Sequence, residues 1–364
     1  MTVPPDGAAA SGEPSSDGSA VGESPIGGPH VSGPHVSGPP AGGLHAREPT
    51  AVAPAGAPVT DGEAVEIACA DGVRLGGHRW RERDRPARAV VVINPATGVL
   101  ARYYHRYARF LAGHGFEALT YDYRGIGASR PARLRGCGYR WHDWGTRDFD
   151  AALRFADGLA AGRPVMVVGH SIGGFLPGLS ASAPRIDRML TVGAQYAWWR
   201  DYAAARRAGL VLKWHVAMPL VTALCGYFPG RRLGWLEDLP AGVANDWSFR
   251  RARMELSHPA AERDAILGRF AAVRAPILAV GVSDDELGTP RAIGRSLAYY
   301  AGAPRTQVEL HPADFGLAEI GHFALFHSRF ADSFWRDTLL WLDQGQNPWP
   351  ERTLHGPTLP GGTR

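Results

Sequence analysis

Two stretches limit most what this chain can fold into: Val90-Val-Val-Ile93 and Val165-Met-Val-Val168 are apolar at every position. A strand with one face in water alternates apolar and polar side chains. An unbroken apolar run therefore belongs to a strand covered on both faces. The first of these runs starts at Ala89, and further β-branched or apolar runs lie at 64–68, 73–80, 118–123, 189–192, 277–280 and 307–310. Helix-length, alanine-rich segments at 103–114, 144–160, 172–183, 290–302 and 328–343 fall between most of them. The first pair of runs is separated by Ala70-Asp71-Gly72, an Asp-Gly hairpin turn. The pattern predicts an α/β fold in which an antiparallel pair leads into a mostly parallel, eight-stranded sheet flanked by helices.

One region interrupts the alternation. Residues 195–264 hold no good strand, four prolines (Pro219, Pro229, Pro240, Pro259) and five of the eleven tryptophans. They read as a helical cap inserted above the strand ends, between core segments 63–194 and 265–345. A cap of this kind is expected to gather several tryptophans around one cavity. The ends differ in composition. Residues 1–60 carry 22 of the chain's Gly and Pro and no Phe, Trp or Tyr. Such a segment cannot bury enough apolar area to offset its chain entropy. The expectation is a disordered low-complexity tail over 1–62, with a short Gly-Pro-His-Val-Ser repeat at His30 and His35, and a flexible C-terminal tail over 346–364.

Charge and cysteine content exclude some functions. The net charge is +4, and nearly all of the positive charge is arginine, with Lys213 the only lysine. The arginines are scattered, without the clustered basic stripe that nucleic acid requires. Cys69, Cys137 and Cys225 are sparse and odd in number, which fits neither a disulfide framework nor a zinc site. The first 20 residues lack the basic start and apolar run of a signal peptide, and a reducing, cytoplasmic setting is expected. The longest apolar stretch, 208–225, contains Lys213, His215 and Pro219 and makes a poor spanning helix.

The chemistry centres on the second apolar run. It leads into Gly169-His170-Ser171-Ile172-Gly173-Gly174, with a helix to follow. In this strand–turn–helix setting G-x-S-x-G lifts a serine hydroxyl above the sheet, and the small glycines let neighbouring segments pass close by. The new helix turns its free amides and dipole towards developing negative charge. Serine needs a base that is itself held by a third group. Downstream, the run at 277–280 is followed by Ser283-Asp284-Asp285-Glu286, and a later loop carries Gly321-His322. In a parallel sheet these strand ends share one edge, so Ser171, Asp284 and His322 can meet. The loop Asn94-Pro95-Ala96-Thr97-Gly98 can lend an oxyanion donor. Pro95 has no N–H, so Ala96 or Thr97 would donate, with Ile172, and Ala96 is the residue chosen.

With these residues the chain resembles the α/β-hydrolase superfamily over about residues 63–344. Within it, the chain looks most like monoacylglycerol lipases and serine-aminopeptidase-like hydrolases. The resemblance rests on Gly169–Gly174, on Asp122-Tyr-Arg-Gly-Ile-Gly-Ala-Ser129, on the acid after the penultimate strand, and on Gly321-His322. It implies the α/β-hydrolase fold with a helical cap, a Ser–Asp–His triad, and no cofactor or metal. Family spacing favours Asp284 as the acid, with Asp285 the alternative. His322 is preferred as base over His311 and His327. The family's His-Gly oxyanion motif is replaced here by Asn94-Pro95. Asp122 and Arg124 read as ties for the loop after the fourth strand, and His170 as packing or a bond to a neighbouring loop.

The function expected is a cofactor-independent serine hydrolase, carboxylesterase- or lipase-like, cleaving a small-molecule ester, thioester or amide with an apolar portion. No nucleic-acid partner and no integral membrane span are expected, and the oligomeric state is open. Acyl transfer by the same triad, or a non-catalytic binding protein on the same fold, are the alternatives.

Overall fold

The computed structural model describes residues 61–354. The tail expected over the first 60 residues, with His30 and His35, and that over 355–364 lie outside the described residues. The strands in chain order are β1 (Glu63–Ala68), β2 (Arg74–Trp80), β3 (Val90–Asn94), β4 (Glu117–Tyr121), β5 (Val165–His170), β6 (Arg188–Val192), β7 (Tyr227–Phe228), β8 (Leu239–Pro240), β9 (Ile277–Val282) and β10 (Arg305–Leu310). Eight of them form one sheet in the order β1-β2-β4-β3-β5-β6-β9-β10, and β7 pairs with β8 separately. The pairs β1–β2 and β2–β4 are antiparallel and all later pairs parallel. At the opening hairpin Gly72 takes a φ of +83° and Cys69 N–H bonds Val73 O at 2.8 Å.

The apolar runs become strands because each face has a helical layer to meet. Every residue of β3 and β5 is buried. Val90, Val92, Val165 and Val167 point into one core, with the helices Asp150–Ala160 and Arg263–Ala272. Val91, Ile93, Met166 and Val168 point into the other, with the helices His105–Gly113 and Arg336–Gln344. Each such side chain contributes roughly 1.5–3 kcal/mol by leaving water. The parallel strands all end on one edge, so the loops after β3, β5, β6 and β9 collect there.

Four features differ from expectation. The helix expected over 172–183 stops at Phe175 and tightens into a turn over Leu176–Leu179. Pro177 has no N–H to continue it, and Gly178 is pressed on Phe270, where a Cβ would lie 2.0 Å from the ring. Strand β9 runs two residues past the expected end. Residues 346–354, expected to be loose, pack along the core. Trp349 stacks on Phe334 and donates to Asp337, and Leu354 N–H bonds Gln307 O. Lastly, tryptophans of residues 195–264 meet other aromatic rings. Trp214 stacks on Trp247 and Trp247 on Trp141, which fastens residues 195–264 to the segment before β5.

Candidate active site

At the end of β5 the chain turns sharply into the helix Ile172–Phe175. Ser171 sits at the turn with φ +54° and ψ −125°. A non-glycine residue held there costs on the order of 1–3 kcal/mol, so the surroundings must enforce it. They do so by close approach. A Cβ on Gly169 would lie 2.4 Å from Gly174 Cα, and one on Gly173 would lie 2.4 Å from Asn94 O. Ser171 N–H bonds Val192 O at 2.8 Å, which ties the turn to the end of β6. Its Oγ accepts from Gln195 Nε2 at 3.4 Å. Among the described residues the hydroxyl makes no bond to His322, and it is 6 % exposed.

The carboxylate that holds His322 is Asp285, not Asp284. Asp285 Oδ2 lies 2.7 Å from His322 Nδ1. Its other oxygen accepts from Leu287 N–H at 2.8 Å and Gly288 N–H at 2.7 Å. Asp284 instead accepts from Ile320 N–H at 2.8 Å and Gly321 N–H at 3.0 Å, and so anchors the loop that presents His322. The physical reason is register. Strand β9 continues to Val282, and Ser283 N–H still bonds Leu310 O. The loop therefore starts late and turns the second acid, not the first, towards the imidazole. Burial pushes the Asp285 carboxyl up, but the His322 charge and hydrogen bond, with two amides, outweigh this and hold it below its ordinary value. An ionised Asp285 can only accept, so Nδ1 carries a hydrogen, and in the neutral ring Nε2 presents a lone pair. Gly193, with φ +57°, permits this closeness, because a Cβ there would lie 3.0 Å from both Asp285 Oδ2 and His322 Cε1.

The amides expected to face an oxyanion are not equally engaged. Ala96 N–H is engaged: it donates to Tyr104 Oη at 3.0 Å. Thr97 N–H and Ile172 N–H have no hydrogen-bond partner among the described residues. Asn94 accounts for the departure from His-Gly. Its amide donates to Gly173 O at 3.1 Å and accepts from Tyr121 Oη at 2.9 Å, clamping this loop to the serine turn.

A proton-ordered chain links the three loops. His170 is fully buried; burial first, and the His322 charge second, push it down to about 3, so it is neutral. Its Nε2 lies 2.8 Å from His322 O, a carbonyl that only accepts, so Nε2 carries the hydrogen. Nδ1, 2.7 Å from Tyr104 Oη, must then accept from the phenol, and the phenol oxygen accepts from Ala96.

His311 and His327 each cap a short turn away from Asp285. Asp122 accepts from Ala101 N–H and Ala128 N–H, and Arg124 bonds Asp148 and Asp71; both tie loops together. The Cys69 thiol is pushed up to about 12, mainly by burial and then by Asp148, which makes it a poor nucleophile. Among the described residues no group of three His, Cys, Asp or Glu is placed to hold a metal ion. A cleft of about 540 Å³ opens against the His322 loop, lined by Tyr103, Leu287, Ile320, Phe323 and Arg329 among others; Ser171 is not part of its wall. Gln195 and Gly193 were not singled out in the sequence. Their one signal is position, just past the end of β6 on the site edge.

Comparison with known proteins agrees with this layout. The family model for serine aminopeptidase, S33, matches residues 85–250. A monoglyceride lipase of Saccharomyces cerevisiae is 26% identical over 106 residues, 29% of this chain and 34% of that protein. The match thus spans about a third of the relative's length. The crystal structure of a soluble variant of monoglyceride lipase from the same yeast, in complex with a substrate analogue, aligns with a TM-score of 0.56 at 16% identity. That alignment covers 82% of this chain and 97% of that one. An esterase of Pyrococcus furiosus aligns with a TM-score of 0.51 at 14% identity, covering 78% and 91%. With an eight-stranded, mostly parallel sheet, a serine on a strained strand–helix turn and a carboxylate-held histidine, this chain has the α/β-hydrolase fold.

Proposed function

We propose that this chain is a cofactor-independent serine hydrolase that cleaves an ester, thioester or amide with an apolar portion through an acyl-enzyme. The observation that carries the reading is the His322 Nδ1–Asp285 Oδ2 pair at 2.7 Å, which leaves Nε2 as a free base. Ser171 Oγ turns from Gln195 to Nε2, gives up its proton as it attacks the carbonyl carbon, and becomes acylated. The amides of Ile172 and Thr97 receive the oxyanion. Asp285 stabilises the imidazolium, which then protonates the leaving group. Water activated by the same Nε2 resolves the ester. The similarity to monoglyceride lipase and esterase supports an acyl ester as substrate class.

A fluorophosphonate probe tests the reading. We expect stoichiometric labelling of folded protein at Ser171, lost in Ser171→Ala together with all turnover, with the unfolding transition kept. An unlabelled, folded wild-type protein would overturn it.

A further inference from the structure

Among the described residues two arginines are buried, Arg124 and Arg250, 1% and 7% exposed. The fold partners them in opposite ways. Arg124 bonds two carboxylates, Asp148 and Asp71. Arg250 forms no ion pair among the described residues, and its Nε is buried without a hydrogen-bond partner. The carboxylate that acts most on it, Asp246, is used elsewhere: Oδ1 accepts from Arg140 Nη2 at 2.5 Å and Oδ2 from Trp141 N–H at 3.1 Å. Burial pushes the Arg250 guanidinium below its ordinary value, yet an arginine keeps its charge. A buried charge without a counter-ion is costly to any fold.

The ring beside it has the same need. Arg250 Cζ lies 4.9 Å from the Trp141 ring centre, and Trp141, 2% exposed, has its Nε1 buried with no partner. A guanidinium and an indole N–H can only donate. Two adjoining buried side chains therefore lack the same thing, an acceptor. Charge says which acceptor. Asp246 neutralises Arg140 and leaves the charge of Arg250 over, so a neutral acceptor would not balance it. The planar fork of a guanidinium fits two oxygens of one carboxylate or phosphate. The place is joined to the serine turn. Tyr196 Oη donates to Ala252 O at 2.5 Å, two residues after Arg250. The Tyr196 ring lies 5.0 Å from that of Phe175, in the helix that follows Ser171, and its neighbour Gln195 bonds Ser171 Oγ.

We propose that Arg250 and Trp141 form an anion site that takes the carboxylate or phosphate group of a small molecule. The guanidinium supplies the charge and the indole N–H a further donor. The group is either the acid end of a substrate or a separate small anion. The site goes beyond the reaction proposed for Ser171 and does not require it, since binding is read without turnover.

The test is calorimetric titration of the full chain with inorganic phosphate and, separately, with glutarate, both at fixed ionic strength. We expect saturable binding of one or both at a single site. Arg250→Met keeps an apolar stem against Trp141 and should weaken binding about tenfold to a hundredfold, the worth of a charge-assisted hydrogen bond. Trp141→Phe keeps a ring, removes the N–H and should weaken binding about twofold to tenfold, so it reads the site even if Arg250→Met does not fold. Two esters that differ only in a carboxylate at the far end of the acyl chain separate the sources. A preference for the acidic ester that Arg250→Met abolishes assigns the anion to the substrate; equal turnover of the two, beside binding of a probe, assigns it to a separate molecule. Wild-type protein that binds neither probe would overturn the proposal, even if it hydrolyses esters. So would binding that both substitutions leave unchanged, which would restrict the guanidinium to packing. Binding without any ester turnover would sink the reaction and keep the site.

Discussion

Two imidazoles sit side by side at the carboxyl edge of the sheet, their ring centres 5.1 Å apart, and the fold treats them in opposite ways. At the end of β5, His170 has both nitrogens engaged, one by Tyr104 and one by the His322 carbonyl, and is held neutral. On the loop after β10, His322 has one nitrogen engaged by Asp285 and the other open. The residue type is the same; what differs is the number of unsatisfied lone pairs. A general base is made by leaving one of them free and aimed at a proton. The neighbouring amides repeat the lesson. Ala96 N–H is closed by Tyr104, and Thr97 N–H, one residue on, has no partner among the described residues.

The largest effect should come from the carboxylate that creates the asymmetry. In Asp285→Asn the amide can donate to Nδ1, which moves the ring hydrogen to Nε2 and removes the base. We expect kcat on a chromogenic ester to fall on the order of 10⁴-fold. Asp284→Asn keeps an acceptor for the Ile320 and Gly321 amides and should cost less than about tenfold, because it moves a loop and not a proton. Equal losses for the two would show that the two acids do not divide the work this way.

A smaller effect should follow from opening the closed imidazole. Tyr104→Phe leaves two buried groups unpaired, Ala96 N–H and His170 Nδ1, at about 1–3 kcal/mol each. Denaturant unfolding should register that loss. If the chain also positions the Thr97 donor and the His322 loop, kcat should fall about tenfold with KM little changed. A variant that is less stable but has wild-type kcat would restrict Tyr104 to packing.

The sequence made these regions unequally legible. The serine turn was readable because sterics dictate it: backbone atoms within 2.4 Å of a would-be Cβ admit only glycine at 169 and 173, and the fully apolar β5 announces the strand. The choice between Asp284 and Asp285 depends on where β9 ends, and backbone bonds such as Asp285 N–H to Val282 O decide that without any side-chain signature. The engagement of Ala96 N–H was illegible for a similar reason. The phenol that occupies its amide comes from Tyr104, at the close of a 3₁₀ turn whose docking no local pattern shows. Tryptophan content signalled burial in the cap, but a large ring says nothing about whether it meets a cavity or another ring.

The smallest expected effect concerns pH, and it tests the proton assignment of the closed imidazole directly. His170 is shifted from 6.5 down to about 3 in the folded chain. Between those values the unfolded chain binds a proton that the folded one does not. Its contribution to stability is therefore whole above about pH 6.5 and is lost as pH falls towards 3. His105 and His258, each lowered to about 4 mainly by burial, act in the same direction, and Asp285, held low, adds a loss further into acid. Unfolding free energy should thus decline with acidification below neutrality. His170→Gln removes one proton from this linkage, so the slope between about pH 6 and pH 4 should become shallower by up to about 1.4 kcal/mol per pH unit. A change of slope is independent of any uniform loss of stability that the substitution causes. An unchanged slope would mean that the folded chain already protonates His170, that Nδ1 then donates to Tyr104, and that the two imidazoles differ in charge and not in free lone pairs.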